Sequence, residues 1–127
     1  MARYHRGFTH YVKTVLTPDE WRDISRFAQT HLQPGEWLFG PRRQKKPEDR
    51  DLWAKFTTST QIEKLDTDFA LIHVESGSTT ISWGGGLVGH RGVIVYSDGS
   101  RKESEDPPHF FRSTFIADDI LVFVSSD

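Results

Sequence analysis

The chain has 127 residues, a formal charge of −2 and no cysteine. That length fits one domain of ordinary size, able to bury roughly two-thirds of its unfolded surface without metal or disulfide staples. The charge balance argues against a dedicated duplex-DNA binder, and the missing cysteines exclude disulfides, thiolate metal sites and cysteine nucleophiles.

Hydrophobic residues make up only 35%, but nine Phe and four Trp supply large rings to fill a core. No apolar run approaches the roughly 20 residues that a membrane helix needs. Met1 to His10 carries charge and no apolar segment of the leader type. These features predict a soluble, cytoplasmic protein with no membrane association.

In chain order, His10 to Leu16 is β-branched and alternating, and reads as a strand. Thr17-Pro18-Asp19-Glu20 follows as a helix start: Thr17 caps, Pro18 suits the first helical position, and Glu20 completes a capping box. Trp21, Ile24, Phe27, Ala28 and Leu32 then recur at helical spacing, and Pro34-Gly35 ends the run. The spacing predicts a helix over Pro18 to about Leu32.

Glu36 to Phe39 reads as a short strand closed by Gly40-Pro41. Residues 41–51 are charged and polar with no apolar face, the composition of an exposed, mobile loop. Leu52 to Thr58 reads as a strand with Leu52, Ala54 and Phe56 on one side, and Gln61 to Asp66 as a helical turn or a connection.

From there the pattern is β: Phe69 to Glu75, Thr79 to Trp83, Gly92 to Tyr96, His109 to Ala117 and Ile120 to Ser125. Turns fall at Ser76-Gly77-Ser78, Ser97-Asp98-Gly99-Ser100 and Asp118-Asp119, with a second charged, mobile loop over 100–108. Such short connections join antiparallel neighbours, since a parallel crossover needs a dozen residues or more. The expected architecture is a single α+β domain over 1–127, a mostly antiparallel sheet with one N-terminal helix on one face. A small β-barrel capped by that helix is the alternative.

The richest motif is Gly84-Gly85-Gly86-Leu87-Val88-Gly89-His90-Arg91, between two strand-like runs. A nucleotide-hydrolase or dinucleotide loop needs a helix directly after its glycines, and here a β pattern follows. Two readings remain. In one, the glycine amides, His90 and Arg91 form a nest for phosphate, with Trp83 stacking on a base. In the other, the turn is a wide hairpin connection or a lip over a pocket.

Arg42-Arg43-Gln44-Lys45-Lys46 is a second candidate, with Trp37, Phe39, Trp53 and Phe56 nearby. Basic residues interleaved with rings suit a nucleotide base or single-stranded nucleic acid. Glu48, Asp49 and Asp51 follow at once and offset that charge, and core packing is the default role of the rings.

The six histidines show no metal-ligand spacing, so no metal or cofactor is expected. His73 lies in an apolar run, as a core histidine or as a polar group facing a cavity. His10, His73 and His109 fall on predicted strands and converge only under some strand orders. Asp66 with Asp68, and Asp118 with Asp119, are carboxylate pairs of ordinary turn composition.

The leading reading is a small, non-catalytic binding or accessory protein for an anion: a nucleotide, a phosphorylated metabolite or single-stranded nucleic acid. Its candidate ligand contacts are Trp83, Gly84, Gly85, Gly86, His90, Arg91, Arg42 and Arg43. One alternative is a small hydrolase of a phosphodiester or glycosidic bond, with His73, His109 and an Asp as acid and base. The other is a protein–protein adaptor. An edge strand near Phe110 and Phe111 points to a homodimer or protein partner in either setting.

Overall fold

The computed structural model describes residues 2–68, 70–84, 90–97 and 110–125. Two helices open the chain, α1 (Ala2–Val15) and α2 (Pro18–His31), and a third, α3 (Pro47–Ser59), follows a short strand, β1 (Trp37–Phe39). Short 3-10 turns occupy Pro41–Arg43 and Ile62–Lys64. Five strands complete the order: β2 (Leu71–Glu75), β3 (Ser78–Gly84), β4 (His90–Tyr96), β5 (Phe110–Ala117) and β6 (Ile120–Ser125).

The six strands form one sheet in the order β1-β2-β3-β4-β6-β5, and every pairing is antiparallel. β1 and β5 are its two edges and do not pair with each other, so the sheet is open. The barrel alternative is thereby corrected. The architecture is α+β with a mostly antiparallel sheet, but with three α-helices among the described residues instead of one.

α2 forms as its local signals require. Thr17 accepts a hydrogen bond from the Glu20 N–H, and the Glu20 carboxylate accepts one from the Thr17 N–H at 2.8 Å. That backbone bond, with Lys64 close by, holds the Glu20 carboxyl below the usual carboxylate range. Trp21, Ile24 and Ala28 face inward and are fully buried.

Two segments read as strands are helices. His10 to Leu16 belongs to α1 and its end, because Phe8, Val12 and Leu16 lie four residues apart and make one buried stripe. Leu52 to Thr58 belongs to α3, which starts with Pro47 at its first position and with Glu48 and Asp49 in its first turn. Trp53 and Phe56, three apart, are its buried pair, whereas Ala54 is exposed. The same helix removes the loop expected over 41–51, whose remainder is the 3-10 turn and a short extended link. The charged segment expected over 100–108 lies outside the described residues.

α2 packs on β2, β3 and β4, α1 packs on β5 and β6, and α3 packs on α2. Ile72, Val74, Ile81, Val93, Val95, Ile120, Val122 and Val124 point toward the helices and join one core with Trp21, Ile24 and Phe56. Ser25 donates to Thr79 Oγ1 at 2.9 Å, so both buried hydroxyls in this layer are satisfied. Across the opposite face, cross-strand register places Trp37, His73, Thr80, Ile94, Leu121 and Phe115 in one row. Phe39, Leu71, Ser82, Gly92 and Phe123 form the next. No described helix packs on this second face.

Candidate functional site

β1 alternates in a way that decides the site. Leu38 is buried, while its neighbours Trp37 and Phe39 point to the face that no described helix covers, where Trp37 is 59% exposed. Their ring centroids lie 6.3 Å apart, and Trp37 also meets the His73 ring at 5.8 Å. Beyond Phe39 the chain turns at Gly40 into the 3-10 turn and then into the Lys45–Lys46 link.

That turn folds the basic run back beside the rings. Arg43 places its guanidinium 4.6 Å from the centre of the Phe39 ring. Gln44 donates from its side-chain amide to the Phe39 carbonyl at 3.0 Å, pinning the link to the end of β1. Arg42 pairs with Asp68 at 3.5 Å. The result is a groove of about 620 Å³ lined by Trp37, Phe39, Arg42, Arg43, Lys45 and Lys46. Leu32 forms apolar lining, and Glu36 and Asp49 are the carboxylates that reach it. Among the described lining residues four cations outnumber two carboxylates, with Asp68 paired to Arg42 from outside the lining, and Glu36 is engaged in accepting a 2.7 Å hydrogen bond from the Gln33 N–H. Among the described residues, no carboxylate forms an ion pair with Lys45 or Lys46.

The sequence-derived candidates separate. Arg42 and Arg43 line the groove. Trp83 is buried on the helix side, edge-on to Phe8 at 5.9 Å, and donates its indole N–H to the Asp66 carbonyl. Arg91 pairs with Trp83 in register and sits 5.8 Å over the same Phe8 ring. Gly84 and His90 close the β3–β4 pairing as partners, and Gly85, Gly86 and the rest of the turn lie outside the described residues. Trp53 and Phe56, near the basic run in sequence, are core residues. Trp37, Phe39, Lys45 and Lys46 complete the site around the two arginines, and the signal for them is the ring-Leu-ring alternation just before the basic run.

The histidines do not gather. His10 is on α1, which covers the helix side of the sheet, and His73 is on the other face, 3.0 Å from the Glu75 carboxylate. His109 lies outside the described residues. Among the described residues, no group of three His, Asp or Glu side chains is placed to hold a metal ion. None of the described helices is long and apolar enough to cross a membrane.

Asp119 of the Asp118-Asp119 turn has a structural partner. Arg22 on α2 donates from Nε and Nη2 to its two oxygens at 2.8 and 3.0 Å, and from Nη1 to Asp19 at 2.9 Å. These bonds hold the Asp119 carboxyl below the usual carboxylate range. Because folding lowers this pKa, its contribution to stability is present above about pH 4 and is lost as pH falls through the folded value. Thermal melts across the acid range are expected to show a shallower acid loss for Asp119→Asn than for the parent chain. Identical acid limbs would show that the pair contributes nothing.

No protein family, curated protein or solved structure matches this chain. The groove must therefore be read from its own chemistry.

Proposed function

We propose that this chain is a non-catalytic binding protein for an anionic ligand with a planar ring, such as a nucleotide or single-stranded nucleic acid, held in the groove beside β1. One observation carries the reading: an exposed Trp37 and a half-buried Phe39 share a groove with Arg42, Arg43, Lys45 and Lys46. Lone exposed rings are unremarkable on a protein surface, but rings combined with a fixed row of cations offer stacking and phosphate contacts together. The 3-10 turn and the Gln44 bond order part of that row before any ligand arrives, which lowers the cost of binding.

The groove carries this reading; of the glycine-turn candidates, Arg91 lies over the Phe8 ring, and Gly85 and Gly86 lie outside the described residues. The described lining combines rings, cations and two carboxylates, with no Ser, Thr or His among it, and the reading is one of binding.

Titration of the intrinsic tryptophan fluorescence with nucleotides, sugar phosphates and oligonucleotides tests the proposal. Trp37→Ala is expected to weaken the ligand by about 1–3 kcal/mol, the usual value of one aromatic stack. Arg42→Ala with Arg43→Ala is expected to weaken it further and to flatten its salt dependence. Stability should change little in either variant, since these side chains are exposed or half-buried. Unchanged affinity in the double arginine variant would end the proposal.

A further inference from the structure

The two ring rows continue past the groove. Register sets Trp37 beside His73 and then Thr80, and sets Phe39 beside Leu71 and then Ser82. All four of the residues beyond the rings are half-buried on the face that no described helix covers. Moving inward from the groove, the surface therefore offers two rings, an imidazole, an aliphatic side chain and two hydroxyls.

A mononucleotide needs one stacking ring and one phosphate site. This surface has two rings at alternate positions of one strand, and its four cations are spread along Arg42 to Lys46. Repeated rings next to repeated cations match a polymer of bases and phosphates. Duplex nucleic acid does not fit, because its bases are stacked on each other and offer no free face to a side chain. Charge sets the polarity of the path. Glu75, paired with His73, and Glu36 both repel phosphate, so the sugar-phosphate chain stays on the Arg42–Lys46 side and the bases turn toward the sheet.

We infer that the groove's ligand is single-stranded nucleic acid, whose bases extend from Trp37 and Phe39 across β2 onto Thr80 and Ser82 of β3. This inference rests on the anion-groove reading above and adds the polymer and its path. Stacking supplies most of the contact, so sequence preference is weak, with Thr80 and Ser82 hydroxyls available to base edges.

The test compares, on the full chain, uridine monophosphate, oligouridylates of about 4 to 16 nucleotides and a duplex of matched length, by fluorescence titration and anisotropy. Affinity is expected to rise at least about tenfold from the mononucleotide to the longer oligomers, with the duplex weaker than the single strand. Thr80→Glu sets a carboxylate on the path without touching the groove. It is expected to weaken the oligomer about tenfold and to leave the mononucleotide within about twofold. Ser82→Glu makes the same test at a second position, and thermal melts show which variant keeps the fold.

Equal affinity for mononucleotide and oligomer, or a duplex that binds as tightly as the single strand, would overturn the path while leaving an anion groove in place. Glutamates at positions 80 and 82 that leave oligomer binding intact in folded protein would do the same. Absence of binding by every probe would overturn both the path and the groove reading beneath it.

Discussion

Trp21→Ala is expected to lower the free energy of unfolding by about 4 kcal/mol, the middle of the range for deleting a buried ring. Trp21 is fully buried in the core, and its indole N–H donates to the Val12 carbonyl of α1 at 3.3 Å. One side chain on α2 therefore fills core volume and ties the first helix to the second. Alanine would leave a cavity where the neighbours are too well packed to collapse, and would remove the tie as well. Trp21→Phe helps separate the two effects, since it removes the N–H while keeping most of the ring volume. Denaturant titrations of the three proteins are the measurement. A loss under about 1 kcal/mol for alanine would mean that α1 and α2 do not enclose this ring.

Gly40→Ala is expected to cost about 3 kcal/mol and also to weaken ligand binding in the groove. Gly40 has φ −65°, so backbone strain is not the issue. Its difficulty is space: an added Cβ would stand 1.8 Å from the Thr67 carbonyl oxygen and 3.2 Å from the Ala70 amide nitrogen. Both are backbone atoms and cannot rotate away. The Gly40 N–H donates to the Ala70 carbonyl at 2.8 Å, and the Arg42 N–H to the Asp68 carbonyl at 3.0 Å. Relief therefore demands that β1 lift off the 67–70 segment, and Arg42 and Arg43 would move with it. Gly7→Ala is the control. It has nothing within 4 Å and lies inside α1, so alanine there should stabilise by about 0.5–1 kcal/mol. If Gly40→Ala melts and binds like the parent chain, the close contact of β1 with Thr67 is wrong, and with it the placement of the arginines.

The success at α2 and the failures at α1 and α3 have a common cause. The signals of α2 are local and redundant: a capping box, a proline at its first position, a periodic apolar face and a Pro-Gly stop within one stretch. The stripe of α1 is sparser, one buried residue per turn at Phe8, Val12 and Leu16, and the first of the three falls before the window that alternates like a strand. In α3, Leu52, Ala54 and Phe56 alternate by accident, while the burial that matters joins Trp53 to Phe56. The start signal was present in Pro47, Glu48 and Asp49, hidden inside a run whose charge reads as a loop.

The groove was half legible. Its members are near neighbours in sequence, so the rings and the basic run were visible together. Which rings belong to it was not. Trp37 and Phe39 face outward only because Leu38 is drawn into the core beside Ile72, whereas Trp53 and Phe56 go inward because α3 packs on α2. A ring's side of a strand or helix depends on what covers the other side, and that partner is far away in the chain.

By itself, the sequence determined the antiparallel pairing of β2 with β3, β3 with β4 and β5 with β6, through connections of two to five residues that permit no crossover, and the limits of α2, through its caps. Those are short-range effects, decided by backbone sterics and hydrogen bonds among adjacent residues. Tertiary structure alone decided that the sheet stays open, that β6 inserts between β4 and β5, and that Arg91 lies against Phe8. Each of these is a choice between distant surfaces competing to be buried, and no local window of residues contains both sides of it.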